Sequence, residues 1–113
     1  MCLGGRVSEA AASAAEKTAA LLKAMWERNL PVLRERVGGL SAAAEAAVAG
    51  GLSEELRVEA AGVAHKLAGS LGMFGYPEGT AIARELEVAL GEVEASGTRL
   101  VELVRTLRDA LPL

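Results

Sequence analysis

With 113 residues, the chain has room for one domain built around one core. Hydrophobic residues make up 51% of it but aromatics only 3%, so alanine and leucine supply the apolar content, and the β-branched and aromatic runs of strands are missing. The net charge of −3 leaves no basic footprint for nucleic acid or anionic lipid, one cysteine (Cys2) excludes an intrachain disulfide, and one histidine is too few for the common zinc sites.

In chain order, residues 1–7 read as a disordered start and residues 8–113 as a single helical domain. Glu9, Glu16, Lys17 and Lys23 interrupt any signal-peptide core, and no apolar run approaches membrane-spanning length, so a cytoplasmic protein is expected. A first, Ala-rich helix is predicted from Ser8 to Arg28, after which Pro31 marks a new helix start or a kink. Leu30, Leu33, Val37, Leu40, Ala44 and Ala47 then step by three and four, straight through Gly38 and Gly39, which favours one weakened helix over a turn. Gly50-Gly51 is the better stop.

Ser53 has the chemistry of an N-cap, and Glu54 and Glu55 suit the positive end of a helix running to about Phe74. Gly75 sits where a left-handed residue ends a helix, and Pro77 suits the first turn of the next one. That next helix carries Ile82, Leu86, Leu90 and Val93 on one face and ends near Ser96-Gly97. Thr98 can cap the last, whose inward face is Leu100, Leu103, Val104, Leu107 and Leu111. Short connections between amphipathic helices imply antiparallel neighbours. The expected fold is all-α, an antiparallel up-down four-helix bundle with an additional N-terminal helix.

The segment from Ser53 to Phe74 carries most of the functional information. Its expected core stripe is Leu56, Ala60, Val63, Leu67, Leu71 and Phe74. His65 lies two residues from both Val63 and Leu67, about 200° around the helix at 100° per residue, and so points away from the core. Around it the outer face is bare: Ala61, Gly62, Ala68, Gly69 and Gly72 stand where a solvated helix normally carries Glu, Lys, Arg or Gln. Each interior glycine costs roughly 1 kcal/mol against alanine, so the three together weaken the helix by about 3 kcal/mol. That is a large share of the roughly 5–15 kcal/mol by which domains are stable. Small neighbours let another protein's active site approach an imidazole closely. The same glycines would also suit tight helix packing with His65 buried at an interface, such as a homodimer's.

His65-Lys66-Leu67-Ala68-Gly69-Ser70, then Met73-Phe74-Gly75-Tyr76 and Leu86-Glu87 further on, resemble the signature of the histidine-phosphotransfer (HPt) domains, most of all those of chemotaxis-type histidine kinases. His65, Leu67, Gly69, Ser70, Gly75, Leu86 and Glu87 fall in register with it. The resemblance implies a phosphocarrier without autonomous catalytic activity, in which His65 takes a phosphoryl group and passes it on within two-component signalling. Its partners would be a histidine kinase and a receiver domain of a response regulator. No cofactor is bound by such a chain itself, the Mg²⁺ belonging to the receiver.

By the same resemblance Glu87 holds the His65 Nδ1–H and leaves Nε2 free to react; its alternative is a solvated residue on the next helix. The sequence departs from the family at Ala68, where a basic residue three after the histidine normally sits beside the phosphoryl group. Arg84, one turn before Glu87, is the stronger substitute, with Lys66 second; the alternative makes both plain surface charges. Gly69, with Gly62, Ala68 and Gly72, keeps the approach open for a partner. Three functions remain open: a monomeric phosphocarrier, an adaptor of the same fold that binds a receiver or kinase without being phosphorylated, and a structural helical module that dimerises.

Overall fold

The computed structural model describes residues 3–92 and 94–113, with side chains from Ser13 onward. Among the described residues there are four α-helices and no strand: α1 Leu3–Val48, α2 Glu54–Met73, α3 Pro77–Leu90 and α4 Gly97–Ala110. None is long and apolar enough to cross a membrane. The chain divides into two compact units, Met1–Leu30 and Pro31–Leu113, with the boundary inside α1.

The first unit is helical from Leu3 onward, inside the stretch expected to be disordered; Met1 and Cys2 lie outside the described residues. The expected separate N-terminal helix is not a separate element, because Pro31 starts no new helix and lies within α1. Proline removes one backbone donor, the one that would bond the Glu27 carbonyl. A fresh start would also need a cap. Asn29 has the right side chain for one, but its Nδ2 donates backward to the Met25 carbonyl at 2.7 Å, a bond that continues the helix.

In the second unit, Leu33, Val37, Leu40 and Ala44 are buried along α1, and Gly38-Gly39 lies within that helix, as the stepping of the stripe predicts. α1 ends at Val48, and the turn that follows passes through Gly50, whose φ of +74° lies in the left-handed region that glycine tolerates.

Helix α2 begins on Ser53, whose hydroxyl accepts from the Leu56 N–H at 3.1 Å. It ends in a Schellman arrangement: the Tyr76 N–H bonds the Leu71 carbonyl (2.9 Å), the Gly75 N–H bonds Gly72 (3.3 Å), and Gly75 has φ +84°. Pro77 then opens α3.

Two boundaries differ from expectation. α3 ends at Leu90 rather than near Ser96, and the cap of α4 is Ser96, which accepts from Arg99 N–H at 3.4 Å, two residues before Thr98. Leu86 and Leu90 are buried as expected; Val93 lies outside the described residues. The α4 face is buried as its spacing predicts, at Leu100, Leu103, Val104, Leu107 and Leu111. The first turn of α4 presses on the end of α1. A Cβ on Gly97 would lie 2.5 Å from the Val48 nitrogen and 2.8 Å from the Ala47 carbonyl carbon.

The face that α2 buries is rotated from the expected one. Its buried residues are Arg57, Ala60, Ala64, Leu67, Ala68 and Leu71. Leu56 is exposed and Val63 half-buried, because both line an open groove between α1 and α2 rather than a closed core. Phe74, at the C-cap, is also only half-buried. Polar cross-links set the pairing of α2 with α3. Arg57 reaches the carbonyl of Leu90 (2.6 Å), His65 meets Glu87, and the Thr80 hydroxyl donates to the carbonyl of Ala68 (3.2 Å). Rising numbers on one helix meet falling numbers on the other, so the two run antiparallel.

Candidate functional site

The rotated face relocates His65. At about 100° per residue, it stands about 120° from the middle of the buried stripe of α2, on the flank toward α3. The side chain is 77% exposed, so the imidazole faces solvent, but at the seam between two helices rather than at the summit of one.

Across that seam the Glu87 carboxylate meets Nδ1, with Oε2 at 2.8 Å and Oε1 at 3.3 Å. Glu87 is itself 34% exposed at its side chain. An ionised carboxylate only accepts, so with a neutral ring this geometry demands the tautomer in which Nδ1 carries the proton. Nε2 then keeps its lone pair. Glu87 follows buried Leu86 and so lies at the edge of the α3 core face, where it reaches across rather than outward.

Gly62, Gly69 and Gly72 are all exposed. A Cβ at Gly62 or Gly69 would meet nothing within 4 Å, and one at Gly72 would make only ordinary contact with the Thr80 hydroxyl at 3.5 Å. The fold therefore does not require these glycines.

Ala68 is not on this bare face. It is 6% exposed, because three residues beyond His65 turn the helix back by about 60° toward the core, where α3 covers it. Ala61 is half-buried for the same reason. Lys66 is exposed, about 100° around the helix from His65. Arg84 is exposed one turn before Glu87, and it lines a cavity of about 340 Å³ on the α4 side of α3 with Glu85, Val88 and Arg99. The structure thus brings together His65, Glu87 and the three glycines. It does not bring Lys66 or Arg84 into hydrogen-bond contact with the imidazole.

Sequence reasoning missed three features beside the site. Val58 stands two turns before His65 on almost the same line of α2 and is exposed, as is Val88 next to Glu87. Thr80 ties α3 to α2 one turn beyond His65. Its signal was available, since seven residues separate it from Glu87 and place both on one flank of α3. Arg57, lying between Leu56 and Val58, carried no comparable signal and reads as a surface residue.

The site is thus an exposed imidazole held at one nitrogen by a carboxylate, beside a helix face bare of large side chains. The model of the Hpt domain matches residues 24–112, and the chain belongs to that family. Hpt domains act in the phosphotransfer of two-component signalling and interact with histidine kinases and receiver domains. The chain is also similar to Protein RcaC of Microchaete diplosiphon, 36% identical over 92 residues, which are 81% of this chain and 14% of RcaC. It therefore spans about one seventh of that relative's length. No solved structure matches it.

Proposed function

We propose that His65 is the phospho-acceptor of a phosphorelay, passing a phosphoryl group between a histidine kinase and the aspartate of a receiver domain. The observation that carries this reading is the 2.8 Å contact between Nδ1 and Glu87 on a ring that is otherwise open to solvent. The Nε2 lone pair attacks the phosphorus of an aspartyl phosphate; the N–P bond forms as the P–O bond to the aspartate breaks, and the aspartate leaves as a carboxylate. The ring keeps its Nδ1 proton and becomes formally positive, a charge that the Glu87 carboxylate stabilises. In the reverse direction the same charge makes the imidazole a good leaving group.

The receiver supplies the Mg²⁺ and most of the electrostatic stabilisation, so the chain carries neither a cofactor nor an autonomous activity. Gly69, with Gly62 and Gly72, gives the receiver its approach. Arg84, with Lys66 second, contacts the phosphoryl oxygens once the partner is docked. The domain works as a monomeric, cytoplasmic, antiparallel up-down bundle, an arrangement supported by the antiparallel α2–α3 pair and the short connections.

The test is incubation with a receiver charged by acetyl phosphate. Acid-labile label is expected on the wild type and absent from His65→Ala, and a wild type without label refutes the carrier. A second reading is favoured by Ala68, which stands where the family carries a basic residue: an adaptor that binds the receiver without being phosphorylated. Receiver binding with no label on His65 would select it.

A further inference from the structure

Glu87 sits in the last turn of α3, four residues counted inclusively from the final helical residue, Leu90. Helix ends fray, because their last four carbonyls have no partner within the helix. Many helices solve this with a left-handed glycine, but Gly91 has φ −72° and does not make that turn. Its N–H instead covers the carbonyls of Glu87 (3.0 Å) and Val88 (3.1 Å), and the Glu92 N–H covers Ala89 at 3.4 Å. The fourth carbonyl, Leu90, is taken by Arg57 of α2, whose Nη1 donates to it at 2.6 Å.

Arg57 is only 9% exposed, the one buried charged residue among the described residues. Its Nη2 pairs with Glu54 at 2.5 Å, while its Nε has no hydrogen-bond partner among the described residues. A buried guanidinium with one unmet N–H is an expensive way to stabilise a core, where apolar residues of similar volume serve as well or better. What it does here is specific. It ties the end of α3 to α2 while itself lining a cavity of about 280 Å³ with Leu52 and Glu94, and it sets a positive charge against the negative end of the helix dipole, which otherwise opposes the Glu87 carboxylate.

We infer that Arg57 is a positioning residue: by closing the last turn of α3 it holds Glu87 at the height where its carboxylate meets His65 Nδ1. The inference deepens the phosphocarrier reading and rests on it for its kinetic arm only. Arg57→Met keeps the length of the side chain and removes the donors. At a temperature where circular dichroism shows the variant folded, nitrogen-15 spectra of His65 are expected to lose the preference for the Nδ1–H tautomer. The Gly91 amide is expected to exchange about tenfold faster or more, as loss of a charged hydrogen bond implies. Phosphorylation of His65 should slow by as much as in Glu87→Ala, and the double variant should be no slower than Glu87→Ala alone. Arg57→Lys, which keeps a charged donor, should recover most of the tautomer preference.

Arg57→Met with a lower melting temperature but an unchanged tautomer makes the residue merely structural and overturns the inference, as do effects that add to those of Glu87→Ala. Should Arg57→Met fail to fold, the wild type decides: a Gly91 amide that exchanges as freely as an unstructured one refutes the closed turn. If the wild type accepts no phosphoryl group, the carrier reading falls, while the tautomer and exchange measurements still decide the role of Arg57.

Discussion

Replacing Gly69 by glutamine sets stability against transfer. Gly69 is in the interior of α2, exposed, and a Cβ there meets nothing within 4 Å, so a side chain costs no repacking. Glutamine is a good helix former, and the exchange should stabilise the domain by about 0.7 kcal/mol. For a domain of this size that raises the melting temperature by roughly 3–5 °C. The new side chain stands one turn beyond His65 on the open face, where the receiver has to close over the imidazole. Transfer from a charged receiver is expected to fall to background. Labelling by a small donor such as phosphoramidate should be unchanged, because a small molecule needs no protein-sized approach. Circular dichroism melts and the two labelling assays measure all three quantities. Receiver-dependent transfer at the wild-type rate, or small-donor labelling lost in parallel, would refute the reasoning that the glycines exist for access.

Glu87→Gln keeps the size of the side chain but removes the charge facing Nδ1; His65 should be phosphorylated more slowly with the melting temperature almost unchanged, by label incorporation and thermal denaturation, and an unaltered rate would remove the glutamate from the mechanism. Gly97→Ala should cost about 2 kcal/mol in urea denaturation, because the added carbon strikes backbone atoms of Ala47 and Val48 that cannot swing aside. Gly79→Ala should cost clearly less, since its nearest neighbours are the ends of the Leu111 and Leu71 side chains at 3.0 and 3.1 Å, which can rotate. Ser53→Ala should cost about 1 kcal/mol by the same measurement, the value of one N-cap, without changing transfer.

Local chemistry was the most legible part of the sequence. The Ser53 cap, the left-handed Gly75, Pro77 at the head of α3 and the apolar faces of α1 and α4 all follow from rules that involve neighbours within four residues. What failed depended on distant partners. Leu56 and Val63 have the right spacing for a core, but whether an apolar stripe is sealed or lines a groove depends on the helix opposite. Ala68 fits an outer face by composition, and its burial follows from α3 crossing there. Pro31 has the chemistry of a helix start, yet a helix passes through it where no side chain caps a new one. The pairing of His65 with Glu87 was reachable only through family resemblance, since 22 residues of sequence separate them and no local rule connects α2 to α3. Arg57 was out of reach altogether: nothing within its own helix marks an arginine that serves the end of another.

If His65 is the acceptor proposed above, its place at a seam makes a docking partner rest on two helices that carry different obligations. In that case α2 supplies the nucleophile and its clearance, so nearly every outward position near the ring is committed. The outer flank of α3, with Glu85 and Val88, bears no such duty. Partner choice can therefore be rewritten on that flank while the acceptor strip stays constant, and duplicated copies of such a domain could drift toward separate signalling lines without losing their chemistry.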